Sequence, residues 1–415
     1  MKGLFAKSVA NGKVVVNMDS PLSGVPVLEF GPGFSGAYCA KLLSDFGAEV
    51  IKIESPEGDP ARGRGPFAGN KPHPEKSGLF VYLNTNKYGV TLDCKKSEGK
   101  KIFKNLVQKA YILVETFPPS ELSALGLSHN VLREINPRLI MVSITPFGQT
   151  GPYRDYRARA LNICQASGES SLMQTGTLER EPIKDARLAD DFDCGQTAAV
   201  AALGVLLSRE KTGGGAHLDI SMQEVLMSLG RVDILRYANE QGLMRRDLRG
   251  VVVGGLMECS DGYINLVAIQ ENQWSGLLKL MDNPEWGRDE ICQDEMSRAW
   301  NADEINEKVQ AWMIKHKKEE VYHRGQALDV PITPVYDPED VVNSRQTAAR
   351  DFLVEVRHPE IGKVKMPQPS YRFSETPWRF ARPAPRLGEH NQFIYRERLG
   401  LSREEIDGLK ERKVI

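Results

Sequence analysis

Gly31-x-Gly33-x-x-Gly36 follows a short apolar run, Val25–Phe30, and opens a segment with helical periodicity, Ala37–Phe46. Glycines at that spacing let the chain turn tightly and aim backbone N–H groups of a helix start at a pyrophosphate. Glu54, at the end of the next apolar run, stands where such a unit places a carboxylate on a ribose hydroxyl. The chemistry served would be hydride transfer with NAD, an NAD-dependent oxidoreductase using Gly-Pro-Gly-Phe-Ser-Gly. Pro32 removes one N–H from the turn, although the fingerprint does not require that donor. Further on, Asp190, Asp191 and Asp193 precede an Ala/Gly-rich helical segment, Cys194–Leu207. By residue type alone, an aspartate there is a helix N-cap. The cysteines at 39, 94, 164, 194, 259 and 292 are scattered, with no C-x-x-C and no histidine at ligand spacing. Buried free thiols are expected, with no metal site and no disulfide framework.

Alternating elements must position these groups. Val25–Phe30 and Glu49–Glu54 read as strands around the helix Ala37–Phe46, a βαβ unit. The pattern continues with strands at Val90–Asp93, Tyr111–Glu115 and Leu139–Ile144 and helices at Gly99–Lys109 and Val131–Ile135. Short apolar strands alternating with amphipathic helices predict a largely parallel sheet covered on both faces. Residues 57–80 are rich in Gly, Pro and charge and read as a long loop over the sheet edge. A strand at His217–Ser221 and a long helix at Met222–Gln241 lead to a smaller domain. The domain reading is 1–225 for the first part of the large domain, 226–330 for a linker helix and small domain, and 331–415 for a return that completes the large domain.

Composition limits the function classes. The chain has 415 residues, 54 Lys and Arg against 55 Asp and Glu, and a formal charge of -1. With 41% hydrophobic and 26% charged residues it is an ordinary globular composition. Balanced charge argues against a nucleic-acid binder held by bulk electrostatics. No apolar run reaches the roughly 18–20 residues of a membrane span, and the first residues do not form a secretory signal. A cytoplasmic location is expected.

A longer set of motifs points away from NAD. It comprises Gly47-Ala48-Glu49-Val50-Ile51-Lys52-Ile53-Glu54 with Gly58-Asp59 and Arg62; Asn84-x-Asn86-Lys87 followed by Leu92-Asp93-Cys94-Lys95; Asn136-Pro137-Arg138; Phe147-Gly148-Gln149-Thr150-Gly151-Pro152; Gln165-Ala166-Ser167-Gly168; Thr212-Gly213-x-Gly215; and Leu387-Gly388-Glu389-His390. In this order they resemble the class III CoA-transferase family, which includes formyl-CoA, carnitine, bile-acid and arylsuccinate CoA-transferases. The resemblance runs from about Pro21 to Ile415.

It implies a Rossmann-like large domain with a parallel sheet, a smaller α+β domain and an interlocked dimer. It implies acyl-CoA and an organic acid as substrates, with no metal or redox cofactor. The family's nucleophile is an aspartate in Asp-x-x-x-Gly before a small-residue helix, a spacing that runs here from Asp191 to Gly195. Asp191 is therefore the candidate acyl and CoA carrier, and Asp193 the better cap. By position, Arg62, Lys95, Thr116 and Phe117 are carried over as coenzyme contacts, and Gly254-Gly255 as the glycine loop that shields the intermediates. His390 is expected to be structural, and Trp274, Trp286 and Trp300 core residues of the small domain.

The chain also departs from the family pattern. Thr116-Phe117-Pro118-Pro119 stands where relatives have Asn-Phe-x-Pro-Gly, Ala124 and Ala158 stand at positions basic in relatives, Leu161 at an acidic one, and Ala216 at a glutamine. Coenzyme A is polyanionic, so lost cations weaken its binding unless replaced. Arg154, Arg157 and Arg159 are close enough in sequence to substitute. Two expectations compete: a competent transferase, with succinyl-CoA as one candidate donor, and a weakly CoA-binding subunit of a heteromeric transferase.

Overall fold

The computed structural model describes residues 7–10, 13–16, 20–173, 181–184, 188–242 and 253–415. They form two compact units, Met1–Arg246 with Phe352–Ile415, and Asp247–Asp351.

In the first unit, strands β1 (Lys7–Ala10) and β2 (Lys13–Val16) make an antiparallel hairpin. A six-stranded sheet follows: β3 (Pro26–Phe30), β4 (Glu49–Glu54), β5 (Tyr88–Thr91), β6 (Ile112–Glu115), β7 (Ile140–Thr145) and β8 (Ala216–Ser221). The spatial order is β5-β4-β3-β6-β7-β8, with every pairing parallel. Parallel strands need crossovers, and these are helices: α1 (Phe34–Asp45), α2 (Gly78–Leu83), α3 (Ser97–Lys109), α4 (Pro119–Ala124), α5 (His129–Ile135), α6 (Ala160–Ala166), α7 (Glu169–Leu172) and α8 (Ala189–Thr212). Two further helices, α9 (Met222–Leu229) and α10 (Arg231–Glu240), follow the last strand.

Side-chain alternation explains the near-continuous apolar strands. Val27 and Val50 face the core under α1 and α8, while Leu28 and Ile51 face the opposite core under α3 and the C-terminal segment. Both faces are covered, so both sets must be apolar.

Some boundaries differ from expectation. Helix α8 begins at Ala189, not Cys194, so Asp190, Asp191 and Asp193 lie inside it. Its N-cap is Leu188, without a side-chain cap, and Asp193 caps nothing. Carboxylates in a first turn meet the positive end of the helix dipole, which makes this early start tolerable. The helix expected at Met222–Gln241 is broken at Gly230 into α9 and α10. A Cβ at Gly230 would sit 2.6 Å from Leu172 Cδ1.

Chain return to the first unit satisfies the edge strand β5. The His390 N–H donates to the Gly89 carbonyl at 2.9 Å and the Gly89 N–H donates to His390 Nδ1 at 3.1 Å. The Thr91 N–H donates to Asn391 Oδ1 at 2.9 Å, and the Tyr395 hydroxyl donates to the Thr91 carbonyl at 2.6 Å.

The second unit holds β9 (Gly254–Cys259), β10 (Gly262–Val267) and β11 (Ile332–Pro334) in an antiparallel sheet of order β11-β10-β9. Its helices pack around buried Trp274, Leu277, Ile305 and Val309. Sequence assigned 226–330 to a linker helix and this unit together; the compact unit is Asp247–Asp351. Met222, Val225 and Leu226 of α9 are buried in the first unit's core, and β11 pairs with β10, which carries the unit past residue 330. Trp286 packs against this core, but Trp300 is 80% exposed and is no core residue. No helix among the described residues is long and apolar enough to cross a membrane.

Candidate active site

The sheet order reverses between β3 and β6, and open α/β sheets leave a crevice there beyond the strands' carboxyl ends. A cavity of about 260 Å³ lies at this point, lined among others by Phe30, Gly31, Pro32, Ile53, Glu54, Lys95 and Phe117.

The glycine turn forms one wall. Gly31 has φ of 124°, and a Cβ on it would fall 2.6 Å from Thr116 Oγ1 and 2.9 Å from Thr116 N. A Cβ on Gly36 would fall 2.6 Å from Thr116 Cγ2. These glycines are needed because the exit of β6 packs directly on the turn. The Thr116 hydroxyl completes the contact by donating to the Pro32 carbonyl at 2.5 Å.

The same turn opens α1, whose N-cap Gly33 supplies no side chain to its first N–H groups. Helix α8 crosses α1 at Gly195. A Cβ there would meet Ser35 O at 2.6 Å and both Cys39 N and Tyr38 Cβ at 3.0 Å. Only glycine allows this approach. One helical turn earlier, the Asp191 carboxylate accepts the Ser35 N–H. The spacing Asp-x-x-x-Gly thus has a mechanical meaning: glycine brings the helices together and the aspartate reaches a helix N-terminus. The anion that meets the helix N–H at this turn is a side chain of the same protein, not the pyrophosphate the glycine spacing suggested.

Burial and neighbouring Asp190 push the Asp191 carboxyl up to about 6, against the Ser35 N–H and Lys184, which favour ionisation. Asp190 is buried and ion-paired with Lys184 at 3.1 Å. Burial and then Asp190 also raise Asp193. Phe192 packs on Tyr38 with ring centroids 4.7 Å apart.

Of the residues expected at a coenzyme, Lys95 and Phe117 line the cavity, and Phe117 packs on Phe30 at 4.7 Å. Thr116 shapes the turn beside it. Arg62 does not line the cavity and is 3% exposed. Its guanidinium grips Glu54 at 2.7 and 2.8 Å, Glu75 at 2.7 Å and the Pro385 carbonyl at 3.0 Å. It braces the wall rather than offering a free cation. Glu54 also accepts the Asp59 N–H at 3.0 Å, so both of its oxygens are already engaged by the protein. Gly254 and Gly255 are strand residues at the start of β9, not a loop. A Cβ on Gly254 would meet the Leu266 carbonyl at 2.3 Å, a close approach within the β9–β10 pair. Arg154 pairs with Asp155 at 3.0 Å, Arg157 and Arg159 are exposed, and none lines the cavity.

Sequence reasoning missed the Ser35 N–H and Glu115. Burial pushes the Glu115 carboxyl up to about 7, against hydrogen bonds from Ser143 and the Phe117 N–H. That N–H donates at 2.8 Å and fixes the exit of β6. Ser35 could have been found as an uncapped helix start after a glycine turn. The six cysteines are free and buried, and His390 holds the edge strand. Among the described residues no group of three or more His, Cys, Asp or Glu is placed to hold a metal ion.

The chain belongs to CoA-transferase family III, whose model matches residues 22–391. It is a CoA-transferase, and the reaction class is CoA transfer rather than hydride transfer. It is 31% identical over 402 residues to the succinyl-CoA–D-citramalate CoA-transferase of Chloroflexus aurantiacus, covering 95% of this chain and 98% of that protein. It is 33% identical over 396 residues to the BbsE subunit of the succinyl-CoA:(R)-benzylsuccinate CoA-transferase of Thauera aromatica, covering 91% and 94%. Among solved structures, a CaiB/BaiF family protein from Brucella suis superposes with a TM-score of 0.82 at 26% identity, covering 91% of this chain and 99% of that one.

Proposed function

We propose that this chain moves CoA from an acyl-CoA donor, succinyl-CoA among the candidates, to a carboxylic acid, with Asp191 as the carrier. One observation carries the reading: a half-buried carboxylate meets the uncapped N-terminus of α1, on a turn whose other residues line a cavity at the sheet's switch point. Asp191 attacks the thioester carbonyl, the C–S bond breaks, and CoA thiolate leaves a mixed anhydride. The thiolate attacks the Asp191 carbonyl, releases the donor's carboxylate and leaves an aspartyl-CoA thioester. The acceptor carboxylate attacks that thioester, releasing thiolate and forming a second anhydride. Thiolate attack on the acceptor's acyl carbon then yields the new thioester and frees Asp191. Splitting the transfer into acyl exchanges is covalent catalysis. Each tetrahedral oxyanion needs preorganised donors, and the N–H groups at the start of α1, which the N-cap Gly33 leaves without a cap side chain, are the donors in this reading.

Lys95 and Phe117 are proposed coenzyme contacts, with Thr116 holding the turn. Donor choice leans on relatives whose names carry succinyl-CoA, those for D-citramalate, L-malate and benzylsuccinate. Dissolved acids and thioesters suit a cytoplasmic setting. The test is incubation with an acyl-CoA panel, quenching, and peptide mass spectrometry. A hydroxylamine-sensitive adduct on the Asp191 peptide, absent in Asp191→Asn, is expected.

A second reading is favoured by Ala124 and Ala158, which remove two cations, and by relatives named as subunits. In it the chain is the weakly CoA-binding half of a heteromer. A folded chain that takes no adduct from any donor would select it, and tight CoA binding in calorimetry would reject it.

A further inference from the structure

One continuous set of buried charges joins the cavity wall to the helix that holds Asp191. At the wall, Asp59 Oδ2 accepts from Lys52 Nζ at 2.7 Å, and Lys52 also donates to Glu29 Oε1 at 2.7 Å. The other Glu29 oxygen accepts from Lys87 Nζ at 2.7 Å. Lys87 spends its remaining donors on the Ala37 carbonyl at 2.7 Å and Asn84 Oδ1 at 3.0 Å. Ala37 lies on α1, two residues after Ser35, whose N–H holds Asp191.

Glu29, Lys52 and Lys87 are 2%, 1% and 0% exposed. Apolar side chains of similar size commonly serve stability as well as a buried ion network does, so the network points to a geometric role. Its two ends hold different things. Lys52, through Asp59, sets the wall formed by Gly58, Asp59 and Pro60. Lys87, through Ala37, sets the first turns of α1.

We propose that Lys87 is a positioning residue for acyl transfer, tying the Ser35–Asp191 contact to the same charge chain that fixes the acyl-CoA cavity. The proposal rests on Asp191 being the acyl carrier. The titratable and charged groups around Lys87 are Glu29 on β3, Lys52 on β4, and Lys41 and the Cys39 thiol on α1. Burial pushes the Lys87 ammonium down; Glu29 resists, Lys52 and Lys41 push with burial, and the result is about 8. Above that pH the neutral amine loses its attraction for Glu29 and a donor, and the α1 tie slackens.

The experiment compares the full-length chain with Lys87→Met and Lys52→Met. For Lys87→Met, kcat falls about tenfold or more, KM for acyl-CoA stays within about twofold, and the fall in kcat above about pH 8 disappears. For Lys52→Met, KM rises about fivefold or more and the alkaline fall persists but moves to higher pH, because one of the cations that push Lys87 down is gone. Hydrogen exchange at residues 34–39 quickens in Lys87→Met and not in Lys52→Met. If Lys87→Met folds poorly, Lys87→Gln, which keeps an N–H for Ala37, is expected to give intermediate kcat without the alkaline fall. Equal changes of kcat and KM in both variants, or wild-type kcat with the alkaline fall intact in Lys87→Met, overturn the proposal. If the wild type takes no adduct at Asp191, the reading beneath it fails instead. Unchanged exchange at 34–39 in Lys87→Met overturns the tie itself, whatever the activity.

Discussion

Ionising Asp191 works against its own burial, and that has two measurable consequences. The native protein holds the Asp191 proton up to about pH 6, while the unfolded chain releases it near the ordinary 3.8. The sign follows from linkage: stability from the protonated group is present below about 3.8 and is lost as pH rises through about 6. Asp191→Asn should therefore be more stable than wild type at pH 8, by about 1–3 kcal/mol, and indistinguishable near pH 3. Thermal unfolding at both pH values checks this; a less stable variant at pH 8 would contradict it. Transfer requires the carboxylate, so wild-type kcat/KM should fall below about pH 6. Asp191 became a candidate only through the family resemblance, because by residue type an aspartate before a helix reads as a cap. The fate of Arg62 was not legible in sequence, because Glu54, Glu75 and Pro385 reach its guanidinium only after folding. Lys87 was equally hidden: a lysine in a motif gives no sign that it will be fully buried on Glu29.

Packing of α1 on α8 is where helix geometry becomes site geometry. Gly195→Ala puts a Cβ against the Ser35 carbonyl, which is backbone and cannot swing aside. The helices must part, at a cost of about 1–3 kcal/mol, and Asp191 moves off the Ser35 N–H. Denaturant unfolding and adduct formation should fall together; a fully stable, fully reactive Gly195→Ala would break the link between the two. Strands were legible as apolar runs because both sheet faces are covered. Helix ends were less so. Three aspartates look like a cap, but α8 takes them into its first turns, and Gly230 splits a run whose periodicity carries through it. Gly254 and Gly255 resemble a loop in sequence, yet strand pairing to Leu266 and Val267 claims them.

Across the whole molecule, apolar side chains remain uncovered on α8 and α10: Leu207, Val232 and Leu235 are 73%, 72% and 61% exposed. Their exposure is the basis of a prediction of association. The expected assembly is a dimer, with itself or with a related subunit. Val232→Lys with Leu235→Lys, one turn apart on α10, should lower the mass seen by light scattering at micromolar concentration without lowering the melting temperature. A dimer unchanged by the pair would move the interface elsewhere. The return of the chain to Gly89 and Thr91 carries a different consequence, for biosynthesis. Strand β5 emerges from the ribosome about 300 residues before His390 and Asn391, the groups that occupy its open edge. Throughout translation the nascent sheet therefore presents a free template to other chains. A product stopped before Leu387 should collect in inclusion bodies while the full chain stays in the supernatant. The final stretch of the polypeptide acts as a seal, and quality of expression depends on how quickly it arrives.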